Sequence, residues 1–385
     1  MHSAQTLVSV IIPAYNAEQT IQRTLVSVTS QSYKNMEIII VDDGSTDGTA
    51  DILAKLASSE RRVTVFRQAN EGVAAARNQG IIRAKGEYIA PLDADDIWHP
   101  TKIEKQVNLI EKNPRVGLVY AWYRVIDADD RVIETPAPIL ARGDCFTWLI
   151  VENFIGNASS ALVRRSLLLQ TGGYDTSLRA AGAQGAEDLR MQFNIAELAR
   201  FEVVPEYLVG YRRRPDAMST NYLSMVQSTY LVLTQVRQRF PSLPRRLFRW
   251  SESQTAAYFG MLHLRENMKE GLSLLVEAAL RDPFVAWHLI AKPFYAAIRR
   301  KFVRLFRRIF PAFGWRRNER LSDRPVDRTC IGREFLDVNP TAISKFASVS
   351  WNHNRIKFAR AYGIPSRPLD CIPTTQEETR GVIRR

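Results

Sequence analysis

Two near-continuous apolar runs, Leu7-Val8-Ser9-Val10-Ile11-Ile12-Pro13 and Glu37-Ile38-Ile39-Ile40-Val41, each end abruptly in polar, turn-forming residues. Such runs suit parallel strands buried on both faces and little else. The first breaks at Pro13-Ala14-Tyr15-Asn16, after which residues 17–30 show helical spacing through Ile21, Leu25 and Val28. The second runs into Asp42-Asp43-Gly44-Ser45-Thr46-Asp47-Gly48-Thr49: an acidic edge, a turn, then a helix opening near Thr49. Residues 63–66 predict a third strand. Asn70-Glu71-Gly72 turns into a helix over 73–84, and Gly86-Glu87-Tyr88-Ile89 reads as a fourth strand. Strands alternating with helices predict an α/β fold with a doubly wound, mostly parallel sheet flanked by helices. Right-handed crossovers put the carboxyl ends of such strands on one edge, where ligands bind. Residues 13–16, 42–45 and 93–96 are therefore expected to converge on one crevice.

The last of these segments, Ala90-Pro91-Leu92-Asp93-Ala94-Asp95-Asp96, has three carboxylates in four positions. Aspartate disfavours a strand interior, so the cluster belongs where the strand opens into a loop. Carboxylates this close repel unless a cation or donor groups compensate. Oxygen ligands suit Mg²⁺ or Mn²⁺, and Mg²⁺ is commonly held by one or two carboxylates plus substrate phosphates. An isolated Asp-x-Asp would read as a solvated acidic turn; the acidic and turn segments upstream favour a site.

In order and spacing, Val8-Ser9-Val10-Ile11-Ile12-Pro13-Ala14-Tyr15-Asn16, Val41-Asp42-Asp43-Gly44-Ser45-Thr46-Asp47, Ala76-Arg77-Asn78-Gln79-Gly80, and Gly86-Glu87-Tyr88-Ile89 through Asp93-Ala94-Asp95-Asp96 resemble a family-2 glycosyltransferase of the nucleotide-diphospho-sugar type, with the GT-A fold. The close resemblance covers about the first hundred residues and continues more loosely to roughly Ser219. It implies that Asp43 accepts a hydrogen bond from the base of a sugar nucleotide. Asp42 and the Pro13, Ala14 and Tyr15 loop would frame that base, with Asn70 and Gly72 closing over it. Asp93 would hold the ribose or a metal-bound water, and Asp95 would coordinate Mn²⁺ or Mg²⁺ bridging the two phosphates, a Lewis acid on the leaving group. Arg77 reads as a helix arginine pairing with the acidic turns. Asp96 fits equally as a cap for a helix starting near Pro100.

Downstream, Asn157-Ala158-Ser159-Ser160-Ala161-Leu162-Val163 predicts a strand and Thr171-Gly172-Gly173-Tyr174-Asp175 a tight turn. Ala186-Glu187-Asp188-Leu189-Arg190-Met191 then opens a helix. Taken alone, Glu187 and Asp188 simply suit a helix N-terminus. After the Gly-Gly-Tyr turn the pair matches the family's Glu-Asp motif, which makes Asp188 the general base, with Glu187 beside it. The Ala- and Gly-rich stretch 179–185 is expected to be a loop that closes over the donor. Tyr211-Arg212-Arg213-Arg214 follows a strand predicted over 201–209, and Arg212 is expected to neutralise the departing diphosphate. Arg213 and Arg214 fit surface charge as well as catalysis. Arginine stands where the family commonly has histidine, so that histidine's role does not transfer.

The 385 residues divide into one expected GT-A domain, with a nucleotide-sugar-binding half (1–105) and an acceptor-binding half (106–230), then a C-terminal helical extension (231–313) and a charged, partly disordered tail (314–385). Residues 254–280 predict two helices with a turn at Lys269-Glu270-Gly271. The formal charge of +13 is concentrated late in the chain. On a helix over 298–313, Ile298, Phe302, Leu305, Phe306 and Ile309 share a face, while Arg299, Arg300, Lys301, Arg304, Arg307 and Arg308 lie off it. That pattern suits an anionic membrane surface, with packing on its own domain as the alternative. No nucleic-acid partner is expected, since no reader motif accompanies the charge.

Cys145, Cys330 and Cys371 lack metal or disulfide spacing, and the first strand starts too early for a leader. The expected location is cytoplasmic, peripheral at the inner face of the plasma membrane. The resemblance implies an inverting, metal-dependent transfer from a nucleotide-diphosphate sugar, a UDP-sugar foremost, to a glycan or glycolipid hydroxyl. The alternatives are a polyprenyl-phosphate sugar transferase and a non-catalytic sugar-nucleotide-binding protein. A dinucleotide dehydrogenase is excluded, because no G-x-G-x-x-G follows the first strand.

Overall fold

The computed structural model describes residues 5–287 apart from 215, 216 and 265. The first apolar run forms β1 (Val8–Ala14), followed by α1 (Ile21–Thr29), and the second forms β2 (Met36–Asp42), followed by α2 (Thr49–Ser59). Then come β3 (Val63–Arg67), α3 (Val73–Arg83), β4 (Tyr88–Pro91), the two-residue β5 (Ile97–Trp98) and α4 (Lys102–Ile110). The second half contributes β6 (Val116–Ile126), β7 (Val132–Glu134), α5 (Phe146–Val151), β8 (Ala161–Arg164), α6 (Arg165–Thr171), α7 (Ser177–Ala180), α8 (Glu187–Ala196) and β9 (Arg200–Arg212). Four helices complete the described chain: α9 (Tyr222–Arg239), α10 (Arg245–His263), α11 (Met268–Arg281) and α12 (Pro283–Ala286).

One sheet runs in the order β3-β2-β1-β4-β8-β6-β9-β5, with β7 paired to β6. Strands β1 to β4 pair in parallel, as the apolar runs of β1 and β2 predict. Beyond β4 the sheet is mixed, because β8 enters antiparallel to both β4 and β6 while β6 and β9 run parallel. The register pairs Ala14 with Asp42 and Asp42 with Arg67, so β1, β2 and β3 leave the sheet at one level. That shared edge is what brings the acidic turns together.

Burial on both faces explains why β1 carries almost no polar residue. Val8, Val10 and Ile12 face a core shared with Ile21, Leu25 and Val28 of α1 and Ile103, Val107 and Ile110 of α4. Ile11, on the opposite face, packs with α3, α6, α8 and the first turns of α10. Each such aliphatic side chain, fully buried, stabilises by about 1.5–3 kcal/mol before entropy is counted. Gly80 lets α3 approach β1 closely: a Cβ there would lie 2.4 Å from Ile11 Cγ2, so any side chain at 80 would push the helix off the strand.

The expected divisions at 105/106 and 230/231 fall inside α4 and α9, and one sheet spans the first of them. The two halves are therefore parts of one domain. The strand read over 157–163 starts later, at Ala161, because residues 158–160 form a 3-10 turn whose serines serve the neighbouring acidic loop. Strand β9 extends past 209 to Arg212, which carries Arg212 into the interior. Helix α10 ends at His263 and α11 begins at Met268, so the break between them comes before 269–271, and Gly271 sits inside α11, where it lets α10 pack close. The basic helix over 298–313 and the tail 314–385 lie outside the described residues. Among those described, no helix is long and apolar enough to cross a membrane.

Candidate active site

The turn after β2 is built by its own acids. Asp42 Oδ1 accepts from Ser45 N at 2.9 Å, and Gly44 takes φ 77, where an added Cβ would lie 3.0 Å from Asn70 N. Asn16, at φ 47, accepts from Thr46 N at 2.9 Å and ties the turn after β1 to the turn after β2. Asp43 is buried, and its carboxylate gathers the loop before α3. Oδ1 accepts from Gln68 Nε2 and Glu71 N, and Oδ2 accepts from Gly72 N at 2.8 Å. Pro13 and Ala14 lie inside β1 with their side chains buried, so Tyr15, 51% exposed, is the side chain that this loop presents to the crevice. Asn70 is exposed, and its Oδ1 accepts from Arg179 Nη2 at 2.7 Å. Arg179, from α7, thus links the second half of the sheet to the Asn70 and Gly72 loop, a bridge that sequence reading missed.

The other side of the crevice is electrostatically different. Asp93 pairs with the buried guanidinium of Arg77, as the helix-arginine reading predicts, and Arg77 lies 5.0 Å over the Tyr174 ring. Asn78, next in that motif, grips Tyr174 at both backbone groups, each at 2.8 Å. The Ala76-Arg77-Asn78 segment therefore holds the acidic loop with one residue and the Gly-Gly-Tyr turn with the next.

Asp188, in the first turn of α8, accepts from Leu189 N at 2.7 Å. Burial raises its carboxyl to about 7; Arg77 opposes the shift, while Glu187 and Asp93 add to it. The residues brought together are thus Arg77, Asp93, Tyr174 and Asp188. Glu187 is buried, and its carboxylate turns back to accept from Gly185 N at 3.0 Å, which closes the 179–185 loop onto the helix start.

Asp95 is raised to about 6, first by burial and then by Asp93, with Arg214 and Arg212 opposing. Asp96 is fully buried, and it caps no helix. Its Oδ2 accepts from Ser159 Oγ at 2.6 Å and its Oδ1 from Arg212 N at 2.8 Å. Ser159 Oγ in turn accepts from Asp93 N. The polar Asn157-Ala158-Ser159-Ser160 start was the available signal that this segment is a turn serving a loop.

The expectation for Arg212 is corrected by its burial, at 2% exposure. Nε donates to Asp95 O at 2.7 Å, Nη1 to Asp127 O at 2.5 Å, and Nη2 to Asp130. A buried guanidinium committed to loop carbonyls and a carboxylate fixes the backbone around Asp95. The arginine whose charge acts on Asp95 from its own side chain without such burial is Arg214, while Arg213 pairs with Glu134.

The residues fit a divalent cation. Asp95 is a half-buried carboxylate beside a second one, with its affinity for a proton raised, which is the state a cation would relieve. Among the described residues no group of three or more His, Cys, Asp or Glu is placed to hold an ion alone. A cation here would share its shell with donor phosphates, as Mg²⁺ commonly does.

Residues 9–171 match the model of glycosyl transferase family 2. A putative teichuronic acid biosynthesis glycosyltransferase, TuaG of Bacillus subtilis, is 47% identical over 244 residues, which is 62% of this chain and 91% of that protein. A second relative, the UDP-Glc:alpha-D-GlcNAc-diphosphoundecaprenol beta-1,3-glucosyltransferase WfaP of Escherichia coli, is 50% identical over 119 residues, 31% of this chain and 47% of its own. Other relatives are longer than the matched region, and the chain spans 24% of one and 51% of another. The mannosyltransferase PcManGT of Pyrobaculum calidifontis, solved with GDP-Man and Mn²⁺, shares the fold with a TM-score of 0.51 at 21% identity, over 77% of this chain and 81% of that one. The strand-end acids, their order along the chain and these relatives agree: the chain belongs to glycosyl transferase family 2.

Proposed function

We propose that the chain transfers a sugar from a nucleotide-diphosphate sugar, a UDP-sugar foremost, to a hydroxyl of a glycan or glycolipid acceptor, with inversion, in cell-surface polysaccharide or glycolipid synthesis. The observation that carries the reading is the meeting of Asp188 with Arg77 and Asp93 at the strand ends, with the Asp188 carboxyl raised to about 7. A base poised near the working pH is what proton abstraction from a hydroxyl asks for.

In this reading the base of the donor lies against Tyr15 and the loop that Asp43 organises, with the ribose toward Asp93. The diphosphate extends past Asp95 toward Arg214, whose charge offsets what develops on the leaving group. Asp188 removes the acceptor proton as the hydroxyl oxygen bonds to the anomeric carbon. The bond from that carbon to the diphosphate breaks on the opposite side, and its electron pair leaves with the nucleotide. One displacement by one activated oxygen inverts the centre. Mn²⁺ or Mg²⁺, held by Asp95 with Asp93 nearby, would supply Lewis-acid stabilisation of the diphosphate.

The names of the relatives support the donor and acceptor classes: one describes a UDP-Glc-dependent enzyme acting on a diphosphoundecaprenol-linked sugar, the other teichuronic acid biosynthesis. Transfer to a polyprenyl phosphate needs no hydroxyl base, and a binding protein needs neither a base nor an acceptor, so a poised Asp188 favours the hydroxyl reading over both. The test is to screen sugar nucleotides for thermal stabilisation with and without Mn²⁺, then follow release of nucleoside diphosphate with soluble acceptors and read the product's anomeric configuration. Stabilisation should require both the cation and Asp95, and Asp95→Ala should abolish it while the protein stays folded. A product with retained configuration, or nucleotide affinity equal in EDTA and Mn²⁺, contradicts the reading.

A further inference from the structure

Helix α11 faces the protein with Leu274 and Ala278, both buried. Its other side carries Met268, Leu272, Val276 and Leu280, one every fourth residue, with exposures of 68%, 50%, 58% and 82%. Trp287, just past α12, is exposed as well, at 58%. Surface helices normally show polar residues to water, so this one is apolar on both sides. Single exposed aliphatics are ordinary; a row of them at helical spacing marks a surface that something covers. The acids nearest the row have partners of their own: Glu270 meets His263 Nε2 at 2.7 Å, and Glu277 pairs with Arg281.

The chain immediately beyond α12 says what kind of surface. Residues 283–318 contain nine Lys or Arg side chains and not one Asp or Glu. A second copy of this chain would bring two such stretches together and repel. An apolar row followed along the chain by a stretch of net positive charge complements a surface that is greasy inside and negative at its rim.

We propose that the exposed face of α11, with Trp287, docks on an anionic lipid bilayer. The leucines, Val276 and Met268 enter the boundary between headgroups and acyl chains, beneath negatively charged headgroups. This goes beyond the transfer reaction and does not depend on it.

The test uses the full chain in flotation assays with phosphatidylcholine vesicles, with and without phosphatidylglycerol. Binding is expected with phosphatidylglycerol and should weaken as salt is raised, since surface attraction is screened over roughly 8 Å at physiological ionic strength. Leu272→Asp, Val276→Asp and Leu280→Asp together should weaken it by about ten-fold or more, as apolar burial is lost. Their thermal transition should match the wild type. Three results would overturn the proposal: unchanged vesicle binding by the triple variant; a change in its oligomeric mass with vesicle binding intact, which assigns the face to a second copy; or a clearly lowered thermal transition, which assigns it to the chain's own later residues.

Discussion

The two sides of the crevice hold their carboxylates in opposite ways. On the base side, Asp43 accepts three hydrogen bonds from the loop before α3, and Asp42 accepts one from its own turn. On the reaction side, burial and neighbouring acids raise Asp95 to about 6 and Asp188 to about 7. Donors from a short turn satisfy a buried carboxylate at little cost, because the turn forms anyway. On the base side Asp43 is therefore held by three donors before a ligand arrives, while Asp42 Oδ2 lies buried with Arg67 Nε at 3.5 Å. The reaction side is left with affinity for charge, to be met by a proton, a cation or an incoming hydroxyl. Rigid recognition and poised chemistry lie on one sheet edge, separated by which acids the chain itself satisfies.

The sharpest way to break this contrast is Asp188→Asn, which keeps the shape and removes the base. Turnover should fall by about 10²–10⁴-fold, with nucleotide-sugar affinity nearly unchanged. Glu187→Gln should cost far less, since Glu187 serves the Gly185 loop; a dead Glu187→Gln beside an active Asp188→Asn would reverse the two roles. If both variants stay active, the polyprenyl-phosphate reading gains.

A smaller effect is expected on the base side. Asp43→Ala leaves the Glu71 and Gly72 N–H groups without their acceptor, which should lower stability by about 1–3 kcal/mol and weaken nucleotide binding together. Weakened binding at unchanged thermal stability would show that Asp43 meets only the ligand and does not organise the loop.

The pH dependence should come from the reaction side. Since Asp188 must be ionised, kcat/KM should fall about ten-fold per pH unit below about 7 and level off above it. Arg77→Met removes the cation that holds the Asp188 carboxyl down, leaving Glu187, Asp93 and Tyr174 around it, so the midpoint should move to higher pH. A midpoint that stays put or falls would mean Arg77 does not act on Asp188.

Stability follows with the sign of a raised carboxyl. The folded protein keeps a proton that the unfolded chain releases near 3.8, so this contribution is present below about pH 4 and is lost as pH rises through about 7. Asp188→Asn should flatten that loss, the smallest of these effects, read from thermal transitions between about pH 5 and 8.

The sequence by itself determined the donor half almost completely. Residues 8–14 and 36–42 are strands because nothing but a doubly covered parallel strand buries such runs, and the acidic turns follow at strand ends because aspartate and glycine leave a sheet there. Arg77 was legible as the partner of the acidic loop, since a charged residue on a buried helix needs a counter-charge.

Tertiary structure alone decided the rest. Strand β6 is bracketed by turn residues, Asn113-Pro114 before it and Asp127-Ala128-Asp129-Asp130 after it, but its place in the sheet is not local; α9 has too mixed a surface to stand out by period. The length of β9 could not be read from a local pattern, and that length buries Arg212 and turns it from a ligand contact into a clamp on the Asp95 backbone. Ser159 reaches Asp96 across 63 residues, and Arg179 reaches Asn70 across 109. Local propensity sees only neighbours along the chain, whereas a side chain's burial and partners are set by which strands lie next to it. The sequence names the acids that gather at the edge; the packing around each one decides whether it is spent on the fold or kept for the chemistry.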